Sequence, residues 1–190
     1  MQVAWIYSFN WGREFVENTF PNELLEILGA IFNIDAEIYK TKESKEKTMM
    51  WETLYSPVWL NEGFKKELYP LSWTNIKEYC DYPRQYYSDS YSPPNYEKRR
   101  PFRDMDFVKN HLWVEVQFGK YSFMVYNVCA KMTIFKKFWY IRAWIEVVPV
   151  KELADQMSTW VSYFEQFVWD LEQRWVSDID IPVMIIWIAP

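Results

Sequence analysis

The chain has 190 residues, half of them apolar and a quarter charged. That is enough to bury a real core in one domain, residues 1–190, and excludes a disordered chain. With a net charge of −5, no global positive field advertises nucleic acid, so any such partner must be met by local basic clusters.

Cys80 and Cys129 lie far apart and outside any C-x-x-C pair, which offers neither a disulfide framework nor a zinc site. No basic segment followed by an apolar one opens the chain, so the expected compartment is a reducing cytoplasm. Aromatic residues make up 21% and there are only 4 glycines. This favours a rigid, Trp-rich core, with aromatic side chains left over for an interface as the alternative.

In chain order, QVAWIYSF reads as a strand. NELLEILGAIF follows as a helix, with Leu24, Leu25, Leu28 and Ile31 at helical spacing and Asn22 as its cap. KTKESKEKT is polar, a loop or exposed helix carrying Lys40, Lys42, Lys45 and Lys47. Alone, such a run is more often a solvated surface than a phosphate clamp. SPVWLNEGFKKELYPLSW reads as a turn, then a helix from about Asn61 to Leu68 stopped by Pro70.

Residues 74–103 are rich in Tyr, Pro and Ser and weakly periodic, a long variable surface segment that also carries a second basic cluster, Lys98, Arg99, Arg100 and Arg103. RDMDFV and HLWVEVQF then form a hairpin around Lys109 and Asn110. YSFMVYNVCAKMTIFKKF carries a helical stripe at Met124, Val128, Met132 and Phe135, and WYIRAWIEVVPV is a strand.

KELADQMSTWVSYFEQFVWDLEQRW reads as one long helix, with Leu153, Met157, Trp160, Val161, Phe164, Val168 and Leu171 on one side. IPVMIIWIAP closes as a buried strand, at about half the roughly 20 residues a bilayer span needs. The expected fold class is α/β, a central mixed sheet flanked by helices.

The hairpin carries the chemistry. Alternation puts Leu112, Val114, Val116 and Phe118 on one face, and Trp113, Glu115 and Gln117 on the other. A two-residue turn at Lys109 and Asn110 pairs residue 106 with residue 113, so that Asp106 shares the face of Glu115; a different loop length would move it.

Two neighbouring carboxylates raise each other's pKa, and a divalent oxygen-seeking cation removes that conflict. Mg²⁺ polarises a phosphoryl group and activates water, which suits phosphodiester hydrolysis, with Gln117 holding a water or phosphate oxygen without adding charge. The competing interpretation is a polar sheet face meeting solvent. His111 is the only histidine, which excludes a catalytic histidine pair, and its place beside the turn makes it incidental.

The stretch MDFVKNHLWVEVQFGKYSF resembles the active-site hairpin of the BglII/BstYI group of type II restriction endonucleases, a PD-(D/E)xK nuclease variant with glutamine in place of the usual lysine. IDAEIYKTKESKEKT, LYSPVWLNEGFK, VPVKELADQMS and the final IAP extend the similarity, closest to the BstYI members, over most of the chain except residues 74–103.

The resemblance implies that Asp106 and Glu115 bind the metal with the backbone carbonyl of Val116, that Gln117 replaces the lysine, and that Asn75 is the nearest candidate for an upstream polar residue. It places Lys120, Ser158 and Thr159 near the outer base pairs, where lysine can donate to guanine and hydroxyls tolerate more than one base. It also places Lys40, Lys42, Lys45 and Lys47 close to the DNA, from which we infer that they contact phosphates.

Together these features lead us to expect a homodimeric, Mg²⁺-dependent endonuclease. It would cut a short palindrome in double-stranded DNA with a GATC centre and a degenerate outer pair, leaving 5′-phosphates. The rivals are a DNA-binding protein of the same fold that no longer cuts, and an aromatic-rich binding module that shares the fold alone.

Overall fold

In the computed structural model, residues 1–81, 85, 87–92, 100–173 and 181–190 are described, apart from the side chains of residues 123–125 and 128–129. Their frame is a six-stranded sheet. It is built from β1 (Gln2–Phe9), β4 (Thr74–Tyr79), β5 (Phe102–Lys109), β6 (Leu112–Val116), β7 (Ala143–Pro149) and β8 (Val183–Ala189), in the order β1-β8-β7-β6-β5-β4. The inner neighbours β6, β7 and β8 run parallel, and the outer pairings are antiparallel, so the sheet is mixed. A small ribbon, β2 (Lys42–Glu43) with β3 (Thr53–Leu54), stands apart.

Parallel central strands must be covered on both faces, and they are. On one face α1 (Gly12–Thr19), α2 (Pro21–Asn33) and α3 (Pro57–Leu68) contribute Val16, Ile27, Ile31, Leu60 and Phe64 to a core with Leu112, Val114, Ile145 and Ile186. On the other, α5 (Met132–Lys137) and α7 (Phe164–Gln173) bring Met132, Phe135, Phe167 and Leu171 against Trp113, Trp144, Val183 and Ile185. Trp113 and Trp144 stack with centroids 4.2 Å apart on this second face. The alternation expected for residues 112–118 therefore holds.

Several local expectations change. Helix α2 begins at Pro21 with Phe20 as its N-cap, so Asn22 is not the cap; proline fits the first helical position, where its missing N–H costs nothing. Helix α3 starts at Pro57, four residues before the expected Asn61, because the Ser56 side chain caps it by accepting from the Trp59 N–H. The lysine-rich run is neither plain loop nor helix. It holds β2 and a 3₁₀ turn at Lys47–Met49.

Part of the expected loop over 74–103 is β4, an edge strand paired to β5. Its exposed, charged side chains hide it from an alternation search, as is usual for protected edges. Of that segment, Lys98 and Arg99 lie outside the described residues.

The long helix expected from residue 151 is two helices, α6 (Lys151–Asp155) and α7, with residues 174–175 outside the description. Between them the chain leaves the helix to pair with the segment after β6. Lys120 bridges Val161, the Ser162 N–H donates to Gly119, and the Tyr121 N–H donates to Trp160. Hydroxyl side chains at Ser158, Thr159 and Ser162 favour such a break because they compete with helical hydrogen bonds.

The helix after β6 exists as α4 (Tyr121–Tyr126), a π-helical turn at Asn127–Lys131, and α5. Met132 and Phe135 of its stripe are buried, while the Met124 and Val128 side chains lie outside the description.

Candidate active site

The β5–β6 hairpin turns at Asn110 and His111, with φ of 49° and 69°, one residue later than expected. This primed turn suits the twist of the strands, and asparagine tolerates its left-handed backbone. Lys109 then faces Leu112 and Phe107 faces Val114. The pairing sum moves by two residues, so the faces are preserved. Below Phe107 the ladder opens. Between Thr74↔Val108 and Ile76↔Met105, β5 holds one extra residue, a bulge around Asp106 and Phe107 opposite Asn75. Bulges re-aim side chains, and here the Asp106 carboxylate accepts the backbone N–H of Val116 at the end of β6.

The outcome is a cleft of 640 Å³ lined by Asp106, Glu115, Val116 and Gln117, together with Asn61 from α3 and Asn127 and Lys131 from the π turn. Glu115 is 6% exposed. Its Oε1 accepts from Asn127 Nδ2 at 3.0 Å and from Lys131 Nζ at 3.1 Å, while Oε2 is buried without a partner. Gln117 Nε2 and Asn61 Oδ1 are also buried and unpaired.

Burial, then Asp106, pushes the Glu115 carboxyl up to about 8. Burial also raises Asp106, against the opposing pull of Lys131. Directly beside Glu115 in the parallel register lies Glu146 on β7, fully buried, with neither oxygen in hydrogen-bonding geometry. Burial and then Glu115 push Glu146 well above the usual carboxylate range, against the opposing pull of Lys131.

Unpaired buried polar atoms are rare and costly. A buried Glu115 raised further by Asp106, with one oxygen tied back and the other unpaired, fits a divalent cation that takes one or two carboxylates and fills its shell with water or phosphate oxygens. Among the described residues no set of three acidic, histidine or cysteine side chains is arranged to enclose an ion.

The structure thus brings Asp106, Glu115, Val116 and Gln117 into one cleft. Asn75 is not among its lining residues. It sits on the edge strand, where Nδ2 donates to Met105 O at 2.7 Å and braces the bulge.

Lys120 is exposed next to the 158–162 turn. Ser158 and Thr159, in a turn and not on a helix, donate their hydroxyls to Glu46 at 2.6 and 2.8 Å. The Lys40–Lys47 segment is docked on the same turn: Lys40 Nζ donates to Gln156 Oε1 at 3.1 Å, and Lys42 Nζ to Met157 O at 2.7 Å. Lys45 and Lys47 are exposed. Gly119 lines the cleft and accepts from the Ser162 hydroxyl, so the turn that holds the basic segment is joined by a hydrogen bond to the cleft rim. His111 is exposed in the turn, away from the cleft lining.

Sequence reasoning missed Lys131, Asn127, Asn61 and Glu146. The only signal was a charged or amide residue inside an otherwise apolar run, as in IEVV and NVCAK, the same kind of anomaly that marked Glu115.

The sequence family described as restriction endonuclease BglII/BglIII matches residues 4–188. Among solved structures, the fold is similar to restriction endonuclease BglII complexed with a DNA 16-mer. The TM-score is 0.73 at 21% identity, over 98% of this chain and 76% of that one. Free BglII is similar with a TM-score of 0.66 at 19% identity, over 100% of this chain and 80% of that one. No curated protein matches the sequence.

Proposed function

Because the chain belongs to the BglII/BglIII family of restriction endonucleases, a nuclease family acting on DNA, we propose that the Asp106–Glu115–Gln117 cleft is where it hydrolyses the phosphodiester bond. The observation that carries this is the open, buried Glu115 Oε2 in the same cleft as Asp106 and the unpaired Gln117 amide. Mg²⁺ is the cofactor this donor set fits, held by Asp106, Glu115 and the Val116 carbonyl; when bound it supplies polarisation of the phosphoryl group and a more acidic water.

The chain's own residues do the rest. The Val116 N–H fixes the Asp106 carboxylate. Asn127 and Lys131 hold Glu115 in one rotamer. The Gln117 amide donates to a water or a phosphate oxygen. Water adds to phosphorus and the bond to the 3′ oxygen breaks, so the products carry 5′-phosphates.

In the finer assignment, residues 1–190 act as one domain of the BstYI-like, glutamine-bearing branch, cytoplasmic and homodimeric, on a palindrome with a GATC centre of the RGATCY type. Two-fold protein symmetry matches two-fold symmetry in the site. Lys120 reads the outer pair from the rim, with Ser158 and Thr159 once their hydroxyls exchange Glu46 for base edges. Lys45 and Lys47 meet phosphates, and Lys40 and Lys42 anchor the segment that presents them. Among the described residues no helix is long and apolar enough to cross a membrane.

The test is digestion of a plasmid of known sequence with and without Mg²⁺, followed by sequencing of the product ends. Cuts at one palindrome that require the ion are expected. Intact plasmid under all conditions would refute the proposal.

A further inference from the structure

Lys131 has no role in the hairpin chemistry read from sequence, yet it is the one cation among the described residues lining the cleft from the helical side. Its side chain is only 8% exposed. Nζ lies 3.1 Å from Glu115 Oε1 and 5.0 Å from the centre of the Trp113 ring, which carries it from beneath. Its charge acts on Asp106, Glu115 and Glu146 alike, opposing the upward shift of each. A π-helical turn presents it together with Asn127 on the face toward β6; such turns are uncommon and recur at functional sites.

A buried lysine is expensive unless it is paired. Two explanations compete. One makes Lys131 only a counter-charge to the carboxylates packed around it, including Glu146, which is absent from the cleft lining. Geometry favours more. Lys131 engages Oε1 of Glu115 and leaves Oε2 open, so it keeps its place when a cation occupies the open oxygen. It is also at the cleft surface, in the same wall as Asp106 and Gln117. Strand position 117, two residues after Glu115, offers only a neutral amide.

Building on the proposed nuclease function, we propose that Lys131 supplies from the helix the cationic group that the strand lacks, contacting a non-bridging oxygen of the scissile phosphate. A fixed ammonium there stabilises the negative charge that grows on phosphorus-bound oxygens as water adds, and it needs no rearrangement to do so. Its contact with Glu115 sets the distance between that charge and the carboxylate.

The test compares wild type, Lys131→Met, Glu146→Gln and the double variant. Single-turnover cleavage of a cognate duplex with Mg²⁺ is read beside two activity-free measurements: duplex affinity by fluorescence anisotropy in Ca²⁺, and Mn²⁺ affinity by electron paramagnetic resonance. Lys131→Met is expected to cut at least about 100-fold more slowly, with both affinities within about threefold of wild type. Glu146→Gln should cut within about threefold of wild type. The double variant, which removes one buried acid together with the lysine, should remain as slow as Lys131→Met.

Restored cutting in the double variant would reduce Lys131 to a counter-charge and overturn the proposal. So would undiminished cutting by Lys131→Met, loss of duplex or Mn²⁺ binding in that variant, or an inert Glu146→Gln. A wild-type protein that cuts no duplex refutes the nuclease function itself, an outcome separate from all of these.

Discussion

At the residue scale the site is dominated by the cost of burying acid. The folded protein holds a proton on Glu115 up to about pH 8, whereas an ordinary glutamate gives it up near 4.5. Between those values the folded chain binds more protons than the unfolded one, so stability falls as pH rises through that window. Asp106 and Glu146, both raised by burial, act in the same direction. Thermal melts of cation-free protein from pH 5 to pH 8 should therefore show a falling midpoint, less steep in Glu115→Gln. Added Mg²⁺ should raise the midpoint more at pH 8 than at pH 5. A midpoint that climbs over this range would contradict the buried-acid account. Asp106→Asn keeps the shape and removes the charge. It should lower cleavage at least about 1000-fold, the scale of losing an essential electrostatic group, while specific duplex binding measured by gel shift stays within a few-fold. Full activity would remove Asp106 from the mechanism.

At the element scale, close backbone contacts hold the sheet and helices in the register the cleft needs. The hairpin turn is tied to α2, where Asn110 Nδ2 donates to Glu23 at 2.6 Å and Lys109 Nζ donates to Glu26 at 2.7 Å. Trp73 Nε1 donates to the same Glu26 at 2.8 Å. Helix α1 begins at Gly12 directly over β8, where a Cβ would sit 2.0 Å from the Val183 carbonyl oxygen. Neither backbone can yield without moving an element, so Gly12→Ala should cost about 3 kcal/mol, the upper range for overpacking. Urea denaturation would measure this, and a loss below about 1 kcal/mol would show that α1 can slide. The edge strand β4 plays a similar part for Asp106, since Asn75 grips Met105 O beside the bulge.

At the scale of the whole molecule, an acidic chain must gather its positive charge locally if it is to meet DNA. The lysine-rich segment is zipped onto the 156–159 turn by Lys40, Lys42 and Glu46, and the turn is joined to the cleft rim through Gly119. Removing Lys45 and Lys47 together should reduce the slope of log affinity against log salt by about 2, near 0.9 per lost phosphate contact. It should weaken cognate and non-cognate duplexes alike, whereas Lys120→Ala should act mainly on discrimination at the outer base pair. Anisotropy titrations at several salt concentrations separate the two behaviours, and an unchanged slope would place Lys45 and Lys47 away from the phosphates.

By itself the sequence determined what depends on neighbours along the chain. Alternation through residues 112–118 set the two faces of β6. The apolar runs around 143–149 and 183–189 announced buried strands, and the acid-acid-amide pattern picked out Asp106, Glu115 and Gln117. The misplaced turn moved the register by two, so residues 107–109 kept their faces, whereas Asp106 reaches the cleft from a bulge that the sequence did not show.

Only the tertiary structure decided which distant groups surround those three. Glu146 meets Glu115 through a parallel register that no local pattern specifies. Lys131 and Asn127 reach the same carboxylate through a π turn that helical periodicity does not foresee. The long helix after β7 breaks because its hydroxyl-rich middle finds better partners in Glu46 and in the strand segment at Gly119. Such choices are made by competition between local bonding and partners far away in sequence, and the winner exists only once the sheet is assembled.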